Sequence, residues 1–158
     1  MTFDLKTFIV LFISFAFLSC NKEQLLLESE IELIEQYLSD HQIQAQQDQE
    51  AFFYYQITDL SADSISPMFN AGLSVEVVYN LKDLDGNTFK DTGTASEIIA
   101  LDDAIIGWQL ALPKMNIEDR MLLFLPSRLA YGEQGNGSIP ANTILIFDIE
   151  LVNIHPHF

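Results

Sequence analysis

The segment LAYGEQGNGSIPANTILIFDIEL, residues 129–151, joins a polar loop containing three glycines to an apolar strand. From residue 145 onward apolar side chains recur at alternate positions, which predicts a strand with one face against a core. These inward residues are Leu145, Phe147, Ile149 and Leu151. The loop lies between Tyr131 and the Ile139–Pro140 step, and surface loops of this composition are mobile and often carry function. The segment therefore predicts a functional loop that leads directly into a half-buried strand.

Other strands are predicted upstream of this segment. Three stretches have the alternation or the aromatic and β-branched content of strands: AFFYYQITDL (51–60), LSVEVVYNL (73–81) and RMLLFLP (120–126). The Asp85–Gly86 step predicts a tight turn between the second of these strands and Phe89. Turns of this kind join neighbouring strands, so the sheet is expected to be antiparallel.

One short helix is predicted between the strands, in LDDAIIGWQLALP (101–113). Asp102 or Asp103 is the expected N-cap, and Pro113 ends the helix. Its inward face carries Ile105, Trp108 and Leu112. Because strands dominate and this helix is apolar on its inner side, we predict an α+β fold in which an antiparallel sheet wraps around the helix.

Composition excludes several classes of function. The 158 residues suit one domain plus a short extension. Seven basic residues against 23 acidic ones give a formal charge of -16, which would repel nucleic acid. The single cysteine, Cys20, can form no intramolecular disulfide and no thiolate cluster for zinc.

The first twenty residues predict export. An apolar run from Phe8 to Leu18 follows Lys6 and has the length of a signal peptide rather than of a membrane span. The run ends in Leu18-Ser19-Cys20, which resembles a bacterial lipobox, so Cys20 is expected to be lipidated and to anchor the protein to the membrane. The alternative is an uncleaved N-terminal anchor with an incidental cysteine. We divide the chain into a signal peptide (1–19), a helix and linker (20–50) and a folded domain (51–158).

An amphipathic helix is predicted from Leu25 to about Gln44. Its apolar positions recur at helical spacing, as Leu27, Ile31, Ile34 and Leu38. The helix can dock on the main domain, space that domain from the membrane, or pair with another chain, and an ordinary surface helix is the simplest interpretation. The acidic residues from Glu28 to Glu35 are expected to be solvated, and His155 is expected to lie in a tail.

Conventional catalytic groups are missing from the sequence. The histidines, His41, His155 and His157, are not placed to activate a serine or to cluster with Cys20, and the loop glycines lack the lysine of a phosphate-binding loop. No metal or cofactor is therefore expected. Five aromatic residues on different elements could instead line an apolar pocket: Tyr79, Phe89, Trp108, Tyr131 and Phe147.

The order of three segments resembles the FKBP-type peptidyl-prolyl cis-trans isomerases. These segments are VVYNLKDLDGNTF (77–89), AIIGWQLAL (104–112) and the 129–151 stretch, and the resemblance covers roughly residues 70–154. It implies a half-barrel sheet curled over the short helix. Together with the lipobox and the acidic helical leader, the chain also resembles the FKBP-like lipoproteins of Bacteroidetes, including those associated with gliding motility.

The resemblance implies a role for each matching residue. Trp108 would form the floor of a proline-binding pocket, and Tyr79, Phe89 and Phe147 its walls. Ala104 and Ile105 match an apolar pair whose second member offers its backbone N–H to the ligand. Tyr131, which follows Ala130, would reach the substrate backbone with its hydroxyl. Ile139 would close the far end of a loop, residues 132–139, that overhangs the pocket.

Two positions depart from the family pattern. The family places an aspartate beside the strand tyrosine, whereas Lys90 occupies that position in an ungapped match. Asp91 can replace the aspartate only if the strand shifts by one residue, because successive residues face opposite sides. The segment TGTASEIIAL (92–101) lacks the phenylalanines of the family, so one pocket wall is expected to be smaller.

These features predict a prolyl isomerase that needs no nucleophile. An apolar pocket would favour the twisted amide, which has lost its resonance, over the planar ground state. The predicted protein is an exported, lipid-anchored isomerase that acts on proline-containing polypeptides in the cell envelope. Two alternatives stay open: a polypeptide-binding module with little catalysis, and a structural lipoprotein in an envelope or motility complex.

Overall fold

A computed structural model describes the backbone of residues 5–59 and 72–156, with side chains for residues 22–58 and 72–156. The elements in chain order are α1 (Leu5–Asp40), β1 (Gln46–Gln47), β2 (Tyr54–Asp59), β3 (Leu73–Lys82), β4 (Thr88–Asp91), β5 (Glu97–Ala100), α2 (Ile106–Ala111), β6 (Arg120–Leu125) and β7 (Leu145–Pro156). The Cys20 side chain, on which the lipidation prediction rests, lies outside the described residues, as does His157.

The seven strands form one antiparallel sheet in the order β1-β2-β6-β7-β3-β4, and β5 also pairs with β3. Strand β7 lies at the centre and pairs with β6 on one side and β3 on the other. The outer edge of β3 is shared, because its first half pairs with β5 and its second half with β4. The predicted α+β class, an antiparallel sheet around one short helix, is confirmed.

The inner face of the sheet carries the main core, as the alternation predicts. Strand β7 contributes Leu145, Phe147, Ile149 and Leu151, and α2 packs Trp108 and Ala111 against them. The helix lies very close to β6, since a Cβ atom at Gly107 would overlap the side chain of Leu125. Glycine at this position is what allows α2 to sit directly on the sheet.

The start of α2 differs from the prediction. Asp102 and Asp103 belong to a separate 3₁₀ turn (Leu101–Asp103), and the N-cap of α2 is Ile105, whose side chain makes no capping bond. The Asp102 carboxylate instead accepts a hydrogen bond from the backbone N–H of Gly72, 3.0 Å away. Asp102 therefore stabilises the start of β3, and the N–H groups of α2 receive no side-chain cap.

The outer face of the sheet is partly covered by α1. Ile34 and Leu38 pack on a second apolar cluster formed by Tyr54, Phe124, Ile144 and Ile146. Of the three roles considered for this helix, docking on the main domain is the one that the structure shows. The helix ends earlier than predicted, at Asp40, where Gln42 adopts a left-handed conformation (φ 55°) and Ile43 N–H donates to Leu38 O.

Two expectations about polar residues were wrong. Glu30 is only 3% exposed, although the acidic residues of α1 were expected to be solvated. His155 lies within β7, with its Nε2 atom 2.9 Å from the Glu76 carboxylate, rather than in a tail. Within the part of the chain that the structure describes, no helix has the length and hydropathy needed to cross a membrane.

Candidate functional site

A cavity of about 300 Å³ opens between the inner face of the sheet, α2 and the loop after Tyr131. Six of the residues predicted from the sequence line it: Tyr79, Ala104, Ile105, Trp108, Tyr131 and Phe147. Of the four further lining residues, Asn136 belongs to the loop predicted to overhang the pocket, whereas Leu81, Ile99 and Asp103 were not predicted as site residues. Most of this lining is apolar or aromatic, with a small number of polar groups, which is typical of a ligand site.

Three rings form the base of the cavity. The ring centroids of Tyr79 and Trp108 are 5.1 Å apart at 86°, and those of Trp108 and Phe147 are 5.4 Å apart at 71°. Edge-to-face pairs of this geometry contribute about 0.5–1.5 kcal/mol beyond area burial, so the rings hold one another in place. The Trp108 indole is 3% exposed, and its Nε1–H has no hydrogen-bond partner among the described residues.

Backbone hydrogen bonds hold the loop over the cavity. Asn136 and Ile139 exchange N–H···O bonds of 2.9 Å, and Gly135 N–H donates to Tyr131 O. Gly135 has φ 65°, and a Cβ atom there would overlap the carbonyl of Ile139, so the turn requires glycine. Ile139 is buried in the core and fastens the far end of the loop. The loop is thus a closed hairpin built on an apolar anchor.

Not every predicted site residue reaches the cavity. Phe89 and Ala130 are partly buried against the core and do not line the cavity. Ile139 likewise serves the core rather than the cavity wall. The structure therefore brings four of the five predicted aromatic residues together around the cavity. The fifth, Phe89, packs on the core instead.

Asp91 lies away from the cavity, and its proposed role as the partner of Tyr79 is corrected. Asp91 pairs with Asn80 and its carboxylate accepts a hydrogen bond from Gly93 N–H, 2.8 Å away. Lys90 pairs with Leu81, which lines the cavity. Lys90 therefore occupies the position of the family aspartate, as the ungapped match implies. The register shift in this ladder lies between Leu81 and Lys82, on the Phe89 side of Lys90, so Lys90 and Asp91 stay in register and alternation directs Asp91 to the outer face.

Glu97 is the carboxylate that contacts Tyr79. The Tyr79 hydroxyl donates to Glu97 Oε2 at 3.5 Å, and Lys90 Nζ lies 2.6 Å from Glu97 Oε1. Burial, together with the charge of Glu97, raises the pKa of Tyr79, so its hydroxyl stays protonated at neutral pH. The sequence offered one signal for this contact, since the TGTASEIIAL segment has Glu97 where an apolar wall was expected.

Comparisons with known proteins agree with this geometry. The half-barrel and its aromatic cavity define a class of small α+β proteins with a pocket between helix and sheet. A family model described as FKBP-type peptidyl-prolyl cis-trans isomerase matches residues 67–152. The chain belongs to this family, as its sequence predicted.

Individual relatives cover different shares of the chain. The "FKBP-type peptidyl-prolyl cis-trans isomerase FkpA" of Aeromonas hydrophila is 42% identical over 82 residues, which are 51% of this chain and 31% of that protein. The "FK506-binding protein 2" of Debaryomyces hansenii is 33% identical over 102 residues, 62% of this chain and 76% of that protein. The matched part is about a third of the length of the FkpA relatives.

A solved structure extends the likeness in fold to most of the chain. The crystal structure of FkpA from Escherichia coli matches with a TM-score of 0.68 and 22% identity, over 98% of this chain and 74% of that one. At this level of identity the match describes the fold.

Proposed function

We propose that the domain is a peptidyl-prolyl cis-trans isomerase that binds the substrate proline in the cavity over Trp108. The observation that carries the proposal is the set of three interlocked rings, Tyr79, Trp108 and Phe147, at the base of an open apolar cavity. Proline-containing polypeptides are the proposed substrates, because an apolar ring fits an aromatic base and a backbone can lie across the cavity mouth.

Two groups on the cavity wall are free to hold the substrate backbone. Within the described residues, neither the Ile105 N–H nor the Tyr131 hydroxyl has a hydrogen-bond partner, and both residues line the cavity. Ile105 is extended at φ -58° and ψ 149°, ahead of the first turn of α2. A substrate carbonyl can therefore accept a hydrogen bond here without displacing one that already exists.

Catalysis would follow from the environment of the amide. Rotation about a peptide C–N bond meets a barrier of about 18–20 kcal/mol because resonance keeps the amide planar. Against the aromatic base of the cavity the twisted amide, which has lost resonance and charge separation, would be favoured relative to the planar form. The fixed donors orient the flanking chain, and each 1.36 kcal/mol of selective stabilisation gives about tenfold in rate.

A protease-coupled assay on a proline peptide tests the proposal. We expect the wild-type protein to accelerate isomerisation and Tyr131→Phe to lower kcat/KM by about tenfold, the value of one hydrogen bond made to the substrate. Tyr55→Phe is the matched control, because the Tyr55 hydroxyl makes only a 3.4 Å bond to Gln46 and Tyr55 does not line the cavity. A wild-type protein that gives no acceleration would refute the isomerase proposal.

We also propose that the protein is exported and lipid-anchored, and that it assists the folding of exported proteins in the cell envelope. The supporting features are the apolar run from Phe8 to Leu18 and the Leu18-Ser19-Cys20 sequence. In this proposal residues 1–19 are removed, residues 20–50 form the helix and linker, and residues 51–158 form the isomerase domain. Labelling with a radioactive fatty acid tests it: the wild type should incorporate label and Cys20→Ser should not.

A second candidate function is a polypeptide-binding module with weak catalysis. Lys90 favours it, since the family resemblance implies an aspartate at this position beside Tyr79, and here the acid comes from Glu97 instead. A proline peptide that perturbs Trp108 fluorescence without being isomerised would support this candidate. An envelope or motility complex of the Bacteroidetes lipoprotein kind would add a protein partner, and co-purification with and without residues 21–50 tests for one.

A further inference from the structure

We infer that Glu30, on helix α1, is a positioning residue for the cavity and acts through Ser127 on the segment that carries Tyr131. The inference rests on the proposed function, because it concerns how that same site is held in its active geometry. It assigns the N-terminal helix a part in the site even though none of its described residues lines the aromatic cavity.

The link between the helix and the site is one buried hydrogen bond. Glu30 Oε2 accepts from the backbone N–H of Ser127 at 2.9 Å, and the two residues are 3% and 1% exposed. Ser127 opens the 3₁₀ turn Ser127–Leu129. The first N–H groups of a helical turn have no acceptor within the turn, so Glu30 supplies the acceptor from another element.

Ser127 is four residues from Tyr131, and the chain between them is tightly held. Ala130 N–H donates to Ser127 O at 2.9 Å, and Leu129 is buried in the core. Tyr131 then accepts from Gly135 at the start of the loop. A shift of Ser127 therefore moves Tyr131 and the base of the loop together.

Most apolar contacts of α1 lie away from this segment. Ile34 and Leu38, with Ile31 partly buried beside them, pack on the outer-face cluster, whereas Leu27 is buried next to the segment. Nearer the start of the helix, a cavity of about 330 Å³ separates α1 from the segment, with Glu23, Leu27 and Glu30 among its lining residues. The other polar link across this gap, from Lys22 to Glu133, is solvent-exposed at 3.3 Å and therefore weak.

The chemistry of Glu30 indicates that it serves as a hydrogen-bond acceptor rather than as a packing residue. Its second carboxylate oxygen, Oε1, is buried without a partner among the described residues. Burial raises the pKa of Glu30, although the hydrogen bond from Ser127 and the charge of Arg128 oppose the increase. An apolar residue at position 30 would continue the stripe of Leu27 and Ile34 with no desolvation penalty. What it could not supply is an acceptor for the Ser127 N–H.

The test compares four variants of the full chain. Glu30→Met keeps the size of the side chain and removes the acceptor, whereas Glu30→Gln retains a carbonyl oxygen. Ser127→Pro removes the donor from the other side, and proline suits the first position of a helical turn. Tyr54→Phe is the control, because it removes the 2.6 Å hydrogen bond from Tyr54 to Glu35, between the sheet and α1, without touching the segment.

Two readouts separate positioning from stability. Trp108 is the only tryptophan and lies at the base of the cavity, so acrylamide quenching reports how well the loop covers it, with no substrate present. The second readout is kcat and KM in the isomerase assay. Unfolding curves ensure that each variant is measured where it is folded.

We expect Glu30→Met and Ser127→Pro to raise the quenching constant severalfold and to lower kcat/KM by roughly tenfold, as expected for one buried hydrogen bond. Glu30→Gln should restore both values, and Tyr54→Phe should leave both at the wild-type level. The inference is overturned if both Glu30→Met and Ser127→Pro quench like the wild type, or if Tyr54→Phe produces the same change. If the wild type has no isomerase activity, the proposed function fails, and the quenching comparison alone decides the role of Glu30.

Discussion

Two cavities of nearly equal volume, about 300 and 330 Å³, flank the chain between Ser127 and Asn142. The one over Trp108 has aromatic walls, and the one under α1 has three acidic residues in its lining, Glu23, Glu30 and Glu133. One lining residue of each has a buried polar atom without a partner among the described residues: Trp108, through Nε1, in the first, and Glu30, through Oε1, in the second.

The two cavities differ in the free-energy cost of burying the unpaired polar atom. A neutral N–H loses about 1–3 kcal/mol when it is buried unpaired. A buried carboxylate oxygen costs more, which shifts the protonation of its group. The first cavity is therefore suited to a neutral polypeptide backbone. The second lies at the contact between helix α1 and the segment that carries Tyr131.

The largest effect should come from the base of the first cavity. We expect Trp108→Leu to lower kcat/KM by tenfold or more, because it removes both ring contacts, and to lower the free energy of unfolding by about 2–4 kcal/mol. Urea unfolding and the isomerase assay measure the two effects. Phe53→Leu is the control, since Phe53 is fully buried in the same core but does not line the cavity. Equal losses of kcat/KM in both variants would mean that the cavity does not hold the substrate.

The loop above the first cavity gives the next effect. Gly135→Ala would combine an unfavourable positive φ with overlap on the Ile139 carbonyl, so we expect a loss of about 1–3 kcal/mol in stability and a severalfold lower kcat/KM. Gly86→Ala has a similar φ, 87°, but open space around it, so only the conformational cost should appear. A Gly135→Ala protein with a wild-type kcat/KM would show that the loop geometry is not needed for activity.

The buried Glu30 carboxylate at the second cavity predicts that the free energy of unfolding depends on pH. Burial raises the pKa of Glu30 above its ordinary value of 4.5 in the folded state, so ionisation of Glu30 favours unfolding. Glu30→Gln should therefore be more stable than the wild type at pH 8. This gain should shrink as the pH falls through the raised pKa and should vanish below the ordinary value. Urea unfolding of both proteins from pH 8 to pH 4 measures it, and a gain that is constant with pH would contradict the burial of the charge.

The smallest effect concerns the hydrogen bond that joins α1 to the sheet between Glu35 and Tyr54. Tyr54→Phe removes the hydrogen bond to Glu35 and should lower the free energy of unfolding by about 0.5–1 kcal/mol. Burial, and secondarily the bond to Glu35, raises the pKa of Tyr54 far above its usual range, so this bond should persist throughout the alkaline stability range. In urea unfolding, Tyr55→Phe should lose less free energy of unfolding than Tyr54→Phe. A larger loss in Tyr55→Phe would mean that the Tyr54–Glu35 bond does not hold the helix to the sheet.

The fold and the aromatic cavity could be predicted because both depend on local patterns. Alternation in β7 identifies Phe147 as inward, and the spacing of Trp108 within its helix does the same. The resemblance then ordered these residues around one pocket. Asp91 was misplaced because the register shift in the β3–β4 ladder falls before Lys90, at Phe89, and so does not turn Asp91 inward.

Glu97 and Glu30 could not be identified in this way, since their contacts join residues far apart in the chain. Glu97 reaches Tyr79 because β5 pairs with β3, and no local pattern specifies that pairing. Glu30 did leave a signal, as it falls three residues after Leu27 and four before Ile34, within the apolar stripe of the helix. An acid in such a stripe predicts either a defect in packing or a buried partner, and its partner, Ser127, lies 97 residues further along the chain.

The central position of β7 has a consequence for when the chain can fold. Strands β3 and β6 have no ladder with each other and are joined only through β7, which is synthesised after both. Until residues 145–156 emerge from the ribosome, the two halves of the sheet therefore lack their shared neighbour. A chain that lacks these residues therefore cannot complete the sheet.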